Sequence, residues 1–281
     1  MKLVFKNKVV WLTGAASGIG EHLAYALAQQ GAKLILSDIR EGKLNQVAQQ
    51  CTSTHSIQLL PFDLENYKAC PEKATEALAI HGTIDFLFNV AGIAQRDSVL
   101  NTDLAVDEKI MNINYFSTIA ITKTILPEMI KNNKGHIVVT SSLSGKYGVP
   151  NLSAYSASKH ALHGFFESLR TEIHPHNINI SILIPGFINT PIINHSLTGD
   201  GSIYNKNLKV QEKGLGADIC AKRILKAVAK QKKEVFIGGS EGITLPMHRL
   251  FPRFFGWFIR SHPMKKLRKL KSFFFFWRKK H

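Results

Sequence analysis

Short apolar runs of strand length alternate with longer amphipathic stretches along most of this chain. Residues 8–12 (KVVWL), 32–38 (AKLILSD), 56–63 (SIQLLPFD), 84–92 (IDFLFNVAG), 136–142 (HIVVTSS), 177–186 (NINISILIPG) and 233–239 (KEVFIGG) carry the strand signal. Between them EHLAYALAQQ, EGKLNQVAQQ, the stretch 102–131, the stretch reaching to about His174 and ADICAKRILKAVAK have helical spacing, and Pro175 stops the fourth. Alternation of this kind predicts an α/β fold in which a doubly wound parallel sheet carries helices on both faces and its site lies at the carboxyl ends of the strands. Residues 1–242 read as one domain, with no internal repeat and no Gly/Ser or Pro-rich linker up to about Gly239. Within it, 191–214 is polar and loses periodicity, which predicts a mobile segment, a substrate lid. Residues 243–281 form a separate amphipathic tail.

The first turn carries the first chemistry. Thr13, Gly14, Ala15, Ala16, Ser17, Gly18, Ile19 and Gly20 follow the first strand and lead straight into a helix. Glycines there let the backbone turn sharply and approach a pyrophosphate, and the helix start supplies N–H groups and a favourable dipole. Gly14, Ser17, Gly18, Ile19 and Gly20 are therefore expected to hold a dinucleotide, although a tight turn alone needs no ligand. Asp38 ends the second strand, where a carboxylate accepts from a ribose diol and repels a 2′-phosphate, so it favours NAD. Arg40 lies two residues on and keeps NADP possible. Asp63 and Leu64 follow the third strand at a position suited to an adenine edge. Asn89, Ala91 and Gly92 follow the fourth, where small residues let a cofactor lie against the backbone. After the sixth, Pro185 and Gly186 break the strand, Ile188 offers an apolar contact, and Thr190 can donate to a carboxamide or phosphate.

Tyr155 and Lys159 stand four apart on a helical stretch and share one face. A phenol titrates near ~10, and a fixed ammonium beside it favours the phenolate, which would make Tyr155 usable as an acid or base. Ser142, at the end of the fifth strand, can bring a second hydroxyl to the same substrate oxygen. Asn114 is the polar residue of interest in the helix over 102–131, although a helical Asn often does no more than bond its own backbone. YxxxK alone is a common surface pattern; the glycine turn and NVAG in the same chain are what give it weight.

Composition sets bounds. At 281 residues with 44% apolar, the chain can build one large core. Cys51, Cys70 and Cys220 are odd in number and lack metal-ligand spacing, so no metal is expected and a reduced, cytoplasmic setting fits. Lys2, Lys6 and Lys8 precede only a short apolar run, which does not read as a secretory leader. The net charge of +16 is uneven: residues 246–281 hold eleven Lys/Arg and no Asp/Glu, leaving +5 for the first 245.

Taken together, TGAASGIG, Asp38, Asp63, NVAG, Asn114 in NYFST, Ser142, Tyr155 with Lys159, and PGFINT resemble the short-chain dehydrogenase/reductase family over about residues 8–239. Val90 stands where that family commonly has Asn or Ala. The resemblance implies a Rossmann-type fold and a hydride exchanged between a nicotinamide and an alcohol or carbonyl. It implies that Tyr155 passes the substrate proton, that Lys159 lowers the Tyr155 pKa and binds the nicotinamide ribose, that Ser142 steadies the oxyanion, and that Asn114 positions a water linking Lys159 to solvent. It also implies a homodimer or tetramer built on the helices over 102–131 and 154–174.

The tail departs from the compact core. Leu250, Phe251, Phe254, Phe255, Phe258 and Ile259 recur at helical spacing, and farther on MKKLRKLK and SFFFFWRKKH set basic residues beside an aromatic run. No window is long and apolar enough to span a bilayer. An interfacial helix with a polybasic anchor, at the cytoplasmic face of a membrane, is expected through residues 246–281. A stripe that docks on its own domain or on a partner, a disordered solubilising end and a nucleic-acid binding arm are the competing readings. An apolar alcohol or ketone is the expected substrate, by analogy with lipid-handling members of the family. A catalytically silent dinucleotide-binding scaffold or regulator and a soluble NADPH carbonyl reductase are the alternatives.

Overall fold

A computed structural model describes residues 4–51, 57–205 and 213–260. In chain order the elements are β1 (Val9–Thr13), α1 (Gly18–Gln29), β2 (Lys33–Ser37), α2 (Glu41–Gln50), β3 (Ile57–Leu59), α3 (Cys70–His81) and β4 (Phe86–Asn89). They continue through α4 (Leu104–Met111), α5 (Ser117–Lys131), β5 (Gly135–Thr140), α6 (Ser153–Glu172), β6 (Ile178–Pro185), β7 (Ile188–Asn189) and β8 (Leu215–Gly216). The last are α7 (Ala217–Ala229), β9 (Glu234–Ile237), α8 (Thr244–Leu250) and α9 (Pro252–Arg260).

Seven strands form one parallel sheet in the order β3-β2-β1-β4-β5-β6-β9. Winding starts at β1, runs outward to β3, and returns to β4 on the other side, so the expected doubly wound sheet is present. Side chains alternate across it with period two. Val10, Leu12, Leu34, Leu36, Phe86 and Phe88 join the core under α1, α2 and α7. Val9, Trp11, Ile35, Leu87, Ile137 and Val139 join the core under α3, α5 and α6. Both faces are therefore apolar, and the strands read as continuous hydrophobic runs for that reason.

Three local features depart from the sequence expectation. The helix over 102–131 is not continuous: a π-helical turn, Asn112–Phe116, joins α4 to α5 and widens the backbone at Asn114. The segment after β7 is less loose than its composition predicts. Leu197 N–H donates to the Ala94 carbonyl at 2.8 Å, Arg96 N–H donates to Leu197 at 2.7 Å, and Arg96 lies over the Tyr204 ring, which ties 191–205 to the loop after β4. Its two ends are pinned side by side where β7 pairs with β8, and residues 206–212 of the expected lid lie outside the described residues.

The third departure is the tail. Its helical stripe packs on the domain, as the self-docking alternative expects, and not as an interfacial helix with its whole apolar face free. Phe255 and Phe258 are buried with Leu143, Tyr147 and Ile184, and Tyr147 meets Phe255 edge to face at 4.7 Å. Leu250, Phe251, Phe254 and Trp257 remain exposed on the outer face. Residues 261–281, which carry most of the basic charge, lie outside the described residues.

Candidate active site

A parallel sheet delivers the end of every strand to one edge, and the break in winding between β1 and β4 opens a crevice there. Gly14 and Gly18 both have positive φ, +71° and +57°. A Cβ on Gly14 would stand 2.6 Å from the Ala91 backbone, one on Gly20 would strike the Gly14 carbonyl oxygen, and one on Gly18 would press Thr190 at 3.1 Å. These glycines let the turn lie against Ala91 and Thr190 and present its N–H groups, so the cradle fits a dinucleotide pyrophosphate. Ile19 is half-buried in the core beneath it. Thr13 locks the crevice: its Oγ1 donates to the Phe88 carbonyl at 3.4 Å and accepts from Val90 N–H at 3.3 Å.

Asp38 follows β2, half-buried as a residue but with its side chain only 6% exposed. Its carboxylate accepts from Ala16 N–H at 3.2 Å and from the Arg40 guanidinium at 3.0 and 3.2 Å. The same guanidinium donates to Ser17 Oγ at 2.8 Å. The expected ribose carboxylate thus comes with its own cation, clasped across the glycine turn. Asp63 is exposed and accepts from Glu65 N–H at 2.8 Å, closing its own turn, and Leu64 packs into the core beside it. Asn89 is buried; its amide donates to Thr122 Oγ1 at 3.3 Å while its Oδ1 has no partner. That orphan carbonyl oxygen lies at the end of β4, beside the crevice. Pro185 ends β6, and Ile188 is buried in β7.

Ser142 after β5, Asn114 in the π-helical turn, and Tyr155 with Lys159 on α6 converge. The turn Leu143–Gly145 can lie on α6 because position 145 is glycine; a Cβ there would stand 2.8 Å from the Lys159 carbonyl oxygen. That contact brings the Ser142 hydroxyl near enough to Tyr155 to favour its phenolate, while Ser142 Oγ itself accepts from Ser144 N–H at 3.2 Å. Lys159 is buried, and its Nζ donates to the Thr140 carbonyl at 2.8 Å. Asn114 accepts from Ile93 N–H at 2.9 Å and donates to Ile93 O at 2.9 Å and Ser158 Oγ at 3.0 Å. Gly92 leaves a gap between them: a Cβ there would be 3.0 Å from Asn114 Oδ1 and 3.3 Å from Lys159 Nζ.

The electrostatics depart from expectation in one respect. Burial raises the Tyr155 phenol above its ordinary value, and the bond from Ser142 only partly opposes it. Lys159 does not supply the expected depression, because burial disfavours its own charge and pushes it down from 10.5 to about 8. Its ammonium is turned to Thr140 and stands 5.7 Å from the Tyr155 ring centroid. Both groups are thus biased toward their neutral forms.

Other residues belong to this site without having stood out in the sequence. Gln95, fully buried, accepts from Tyr155 N–H at 3.3 Å and donates to Ser153 Oγ at 3.2 Å, fixing the start of α6. Ser141 Oγ donates to the Lys159 carbonyl at 3.2 Å. Glu241, buried, accepts from Phe187 and Gly239 N–H at 2.9 Å each, and Thr244 beyond it bonds the Tyr147 hydroxyl at 2.8 Å. It joins the loop after β6 to the start of the tail.

Residues 8–200 match the family model for short chain dehydrogenases. A dehydrogenase/reductase SDR family protein 7-like of Drosophila melanogaster is 37% identical over 265 residues, covering 92% of this chain and 81% of the relative. The dehydrogenase/reductase SDR family member 7B of Xenopus laevis is 38% identical over 94% of this chain and 84% of its own length. Among solved structures, levodione reductase aligns at TM-score 0.75 with 25% identity, covering 84% of this chain and 98% of its own. A Burkholderia phymatum short chain dehydrogenase/reductase in complex with NAD aligns at TM-score 0.78 with 24% identity, over 87% of this chain and 94% of that one.

Proposed function

The chain belongs to the short-chain dehydrogenase/reductase family, an oxidoreductase of CH–OH and C=O groups that binds a nicotinamide cofactor, and from that premise we propose how its own residues do the work. The observation that carries the reading is the convergence of Ser142 and Tyr155 with a buried lysine, Lys159, whose Nζ lies 5.7 Å from the Tyr155 ring centroid and whose pKa has come down to about 8. When bound, the nicotinamide donates or accepts the hydride. Tyr155 gives its proton to the carbonyl oxygen in reduction and takes it back in oxidation. Ser142 donates to the same oxygen and steadies the charge that develops there. Lys159, still mostly protonated at neutral pH but far readier than a free lysine to give its proton up, resupplies Tyr155. A water in the gap left by Gly92, held by Asn114, links Lys159 to solvent.

The cofactor is held by Gly14, Ser17, Gly18, Ile19 and Gly20 at its phosphates, by Asp38 at the ribose, and by Asn89, Ala91, Gly92, Pro185, Gly186, Ile188 and Thr190 toward the nicotinamide, with Asp63 and Leu64 at the adenine. Asp38 favours NAD; the solved neighbours of this fold include complexes with NAD and with NADPH. Arg40, already clasped to Asp38 and Ser17, lets NADP serve as the second acceptor. The substrate is an apolar alcohol or ketone. Support comes from the tail: α9 buries Phe255 and Phe258 beside Leu143, next to Ser142, while Leu250, Phe251, Phe254 and Trp257 face outward for the headgroup boundary of a membrane. Among the described residues no helix is long and apolar enough to cross one. A homodimer through α5 and α6 is supported by a cavity of ≈ 300 Å³ between them, lined by Leu126, Phe165 and Leu169 among others.

The test pairs turnover with flotation. Purified protein is offered NAD(H) and NADP(H) with a panel of apolar alcohols and ketones, with and without anionic vesicles. Removing 261–281 leaves the packed helix α9 in place, and is expected to lose vesicle binding while keeping turnover. Cofactor binding without turnover across the panel contradicts the enzyme reading and favours a scaffold; full-length protein that stays off the vesicles contradicts the membrane reading.

A further inference from the structure

His163 lies on α6, one turn beyond Lys159, and is 93% buried. Neither of its ring nitrogens has a hydrogen-bond partner. Buried polar atoms left in that state are uncommon and call for a physical reason. Nδ1 faces two carboxylates, standing 3.6 Å from Glu167 Oε1, one turn along the same helix, and 3.6 Å from Glu234 Oε2 at the start of β9. Those separations are too long for hydrogen bonds. They are close to what a metal ion needs, since bonds of about 2.0–2.2 Å set tetrahedrally put neighbouring ligand atoms about 3.4 Å apart. All three ligand atoms lie within 4.8 Å of one another.

We propose that His163, Glu167 and Glu234 form a site for one divalent cation of the Zn²⁺ class, bound by Nδ1 and two carboxylate oxygens with water in the open position. An imidazole with two carboxylates suits Zn²⁺, Co²⁺ or Mn²⁺ better than Mg²⁺, which prefers oxygen ligands and keeps its waters. Both carboxylates are about half exposed, which gives an ion a path from solvent. A cation already stands at the site in this structure: Lys146 Nζ pairs with Glu234 Oε2 at 2.6 Å. A metal ion competes with that ammonium. Lys146 follows the turn that leaves Ser142, and Tyr147 after it packs on α9, so occupancy frees the anchor of the loop that joins the active site to the tail. None of this depends on the roles given to Tyr155 and Lys159.

The experiment titrates Zn²⁺ into the full-length protein against a chromophoric chelator, and repeats the titration with Co²⁺, whose visible absorption reports coordination geometry. One equivalent is expected, with the intense d–d bands of a four-coordinate ion. Glu167→Gln, on the solvent side of α6, is expected to keep the fold and weaken binding at least about tenfold, a loss in line with removing one charged ligand. His163→Gln should do the same, and Lys146→Met should tighten binding. Binding of equal strength in the Glu167→Gln and His163→Gln proteins would mean that the ion sits on other histidines, and overturns the proposal. So does a full-length protein that takes up no Zn²⁺ at millimolar concentration, or a Lys146→Met protein that binds no more tightly than the parent.

Discussion

Lys159 gives the most quantitative handle on the site. It is 3% exposed, and burial lowers its pKa from 10.5 to about 8. The folded protein therefore releases this proton before the unfolded chain does. Between these two values the unfolded state binds more protons, so stability rises with pH across the window. Below the folded value the whole penalty for burying the ammonium is present; above the unfolded value it is gone. At about 1.4 kcal/mol per pH unit, the penalty is about 3 kcal/mol. Lys159→Met keeps a similar shape and removes the titration. Denaturant unfolding of both proteins gives the difference directly, and wild-type stability relative to Lys159→Met is expected to climb by about 2 kcal/mol from about pH 7.5 to about pH 9.5. Stopping there keeps the raised Tyr155 phenol out of the measurement. A difference that stays flat across that range would refute the reasoning, because it would mean that Lys159 titrates in the folded protein as it does in the unfolded chain.

Two further outcomes follow from contacts described above. Arg40→Ala removes the guanidinium clasped to Asp38 and Ser17, and is expected to lower kcat/KM with NADP(H) about tenfold or more relative to NAD(H), in keeping with one charge-assisted contact; Asp38→Asn shifts the ratio the other way, and steady-state kinetics with both cofactors reads it. Phe258→Ala empties a fully buried ring site at a cost of about 3–5 kcal/mol, so α9 is expected to undock, with hydrogen exchange speeding up over 252–260 while β1 to β6 keep their protection.

The sheet was legible because burial on two faces writes itself into sequence: residues such as Val9 to Leu12 and Ile182 to Ile184 leave no polar position to confuse a strand with a surface element. The glycine turn was legible for a different reason, since Gly14 and Gly20 are forced by backbone contacts that admit no side chain and Gly18 by its positive φ. The π-helical turn at Asn114 was not legible, because it shifts the hydrophobic register by one residue and a short apolar run tolerates that shift. Gln95 and Glu241 were hidden as well; each satisfies backbone groups brought to it from far along the chain, and nothing local marks them. The tail shows the limit most plainly. Helical spacing placed Phe254, Phe255, Trp257 and Phe258 on a helix, but which of them is covered depends on Leu143, Tyr147 and Ile184, and only the fold brings those near. The Lys159 effect on Tyr155 failed for a similar reason, as spacing sets which face two side chains share and not where the ammonium turns.

The decisive measurement compares wild type with Tyr155→Phe, recording cofactor binding by fluorescence titration and turnover with the best alcohol or ketone of the panel. Removing one hydroxyl leaves the ring, the helix and the cofactor crevice in place. The expected result is unchanged cofactor affinity with turnover lost by at least about a hundredfold, the scale of general acid–base catalysis. Turnover that survives in Tyr155→Phe would contradict the assignment and place the proton transfer elsewhere in the site.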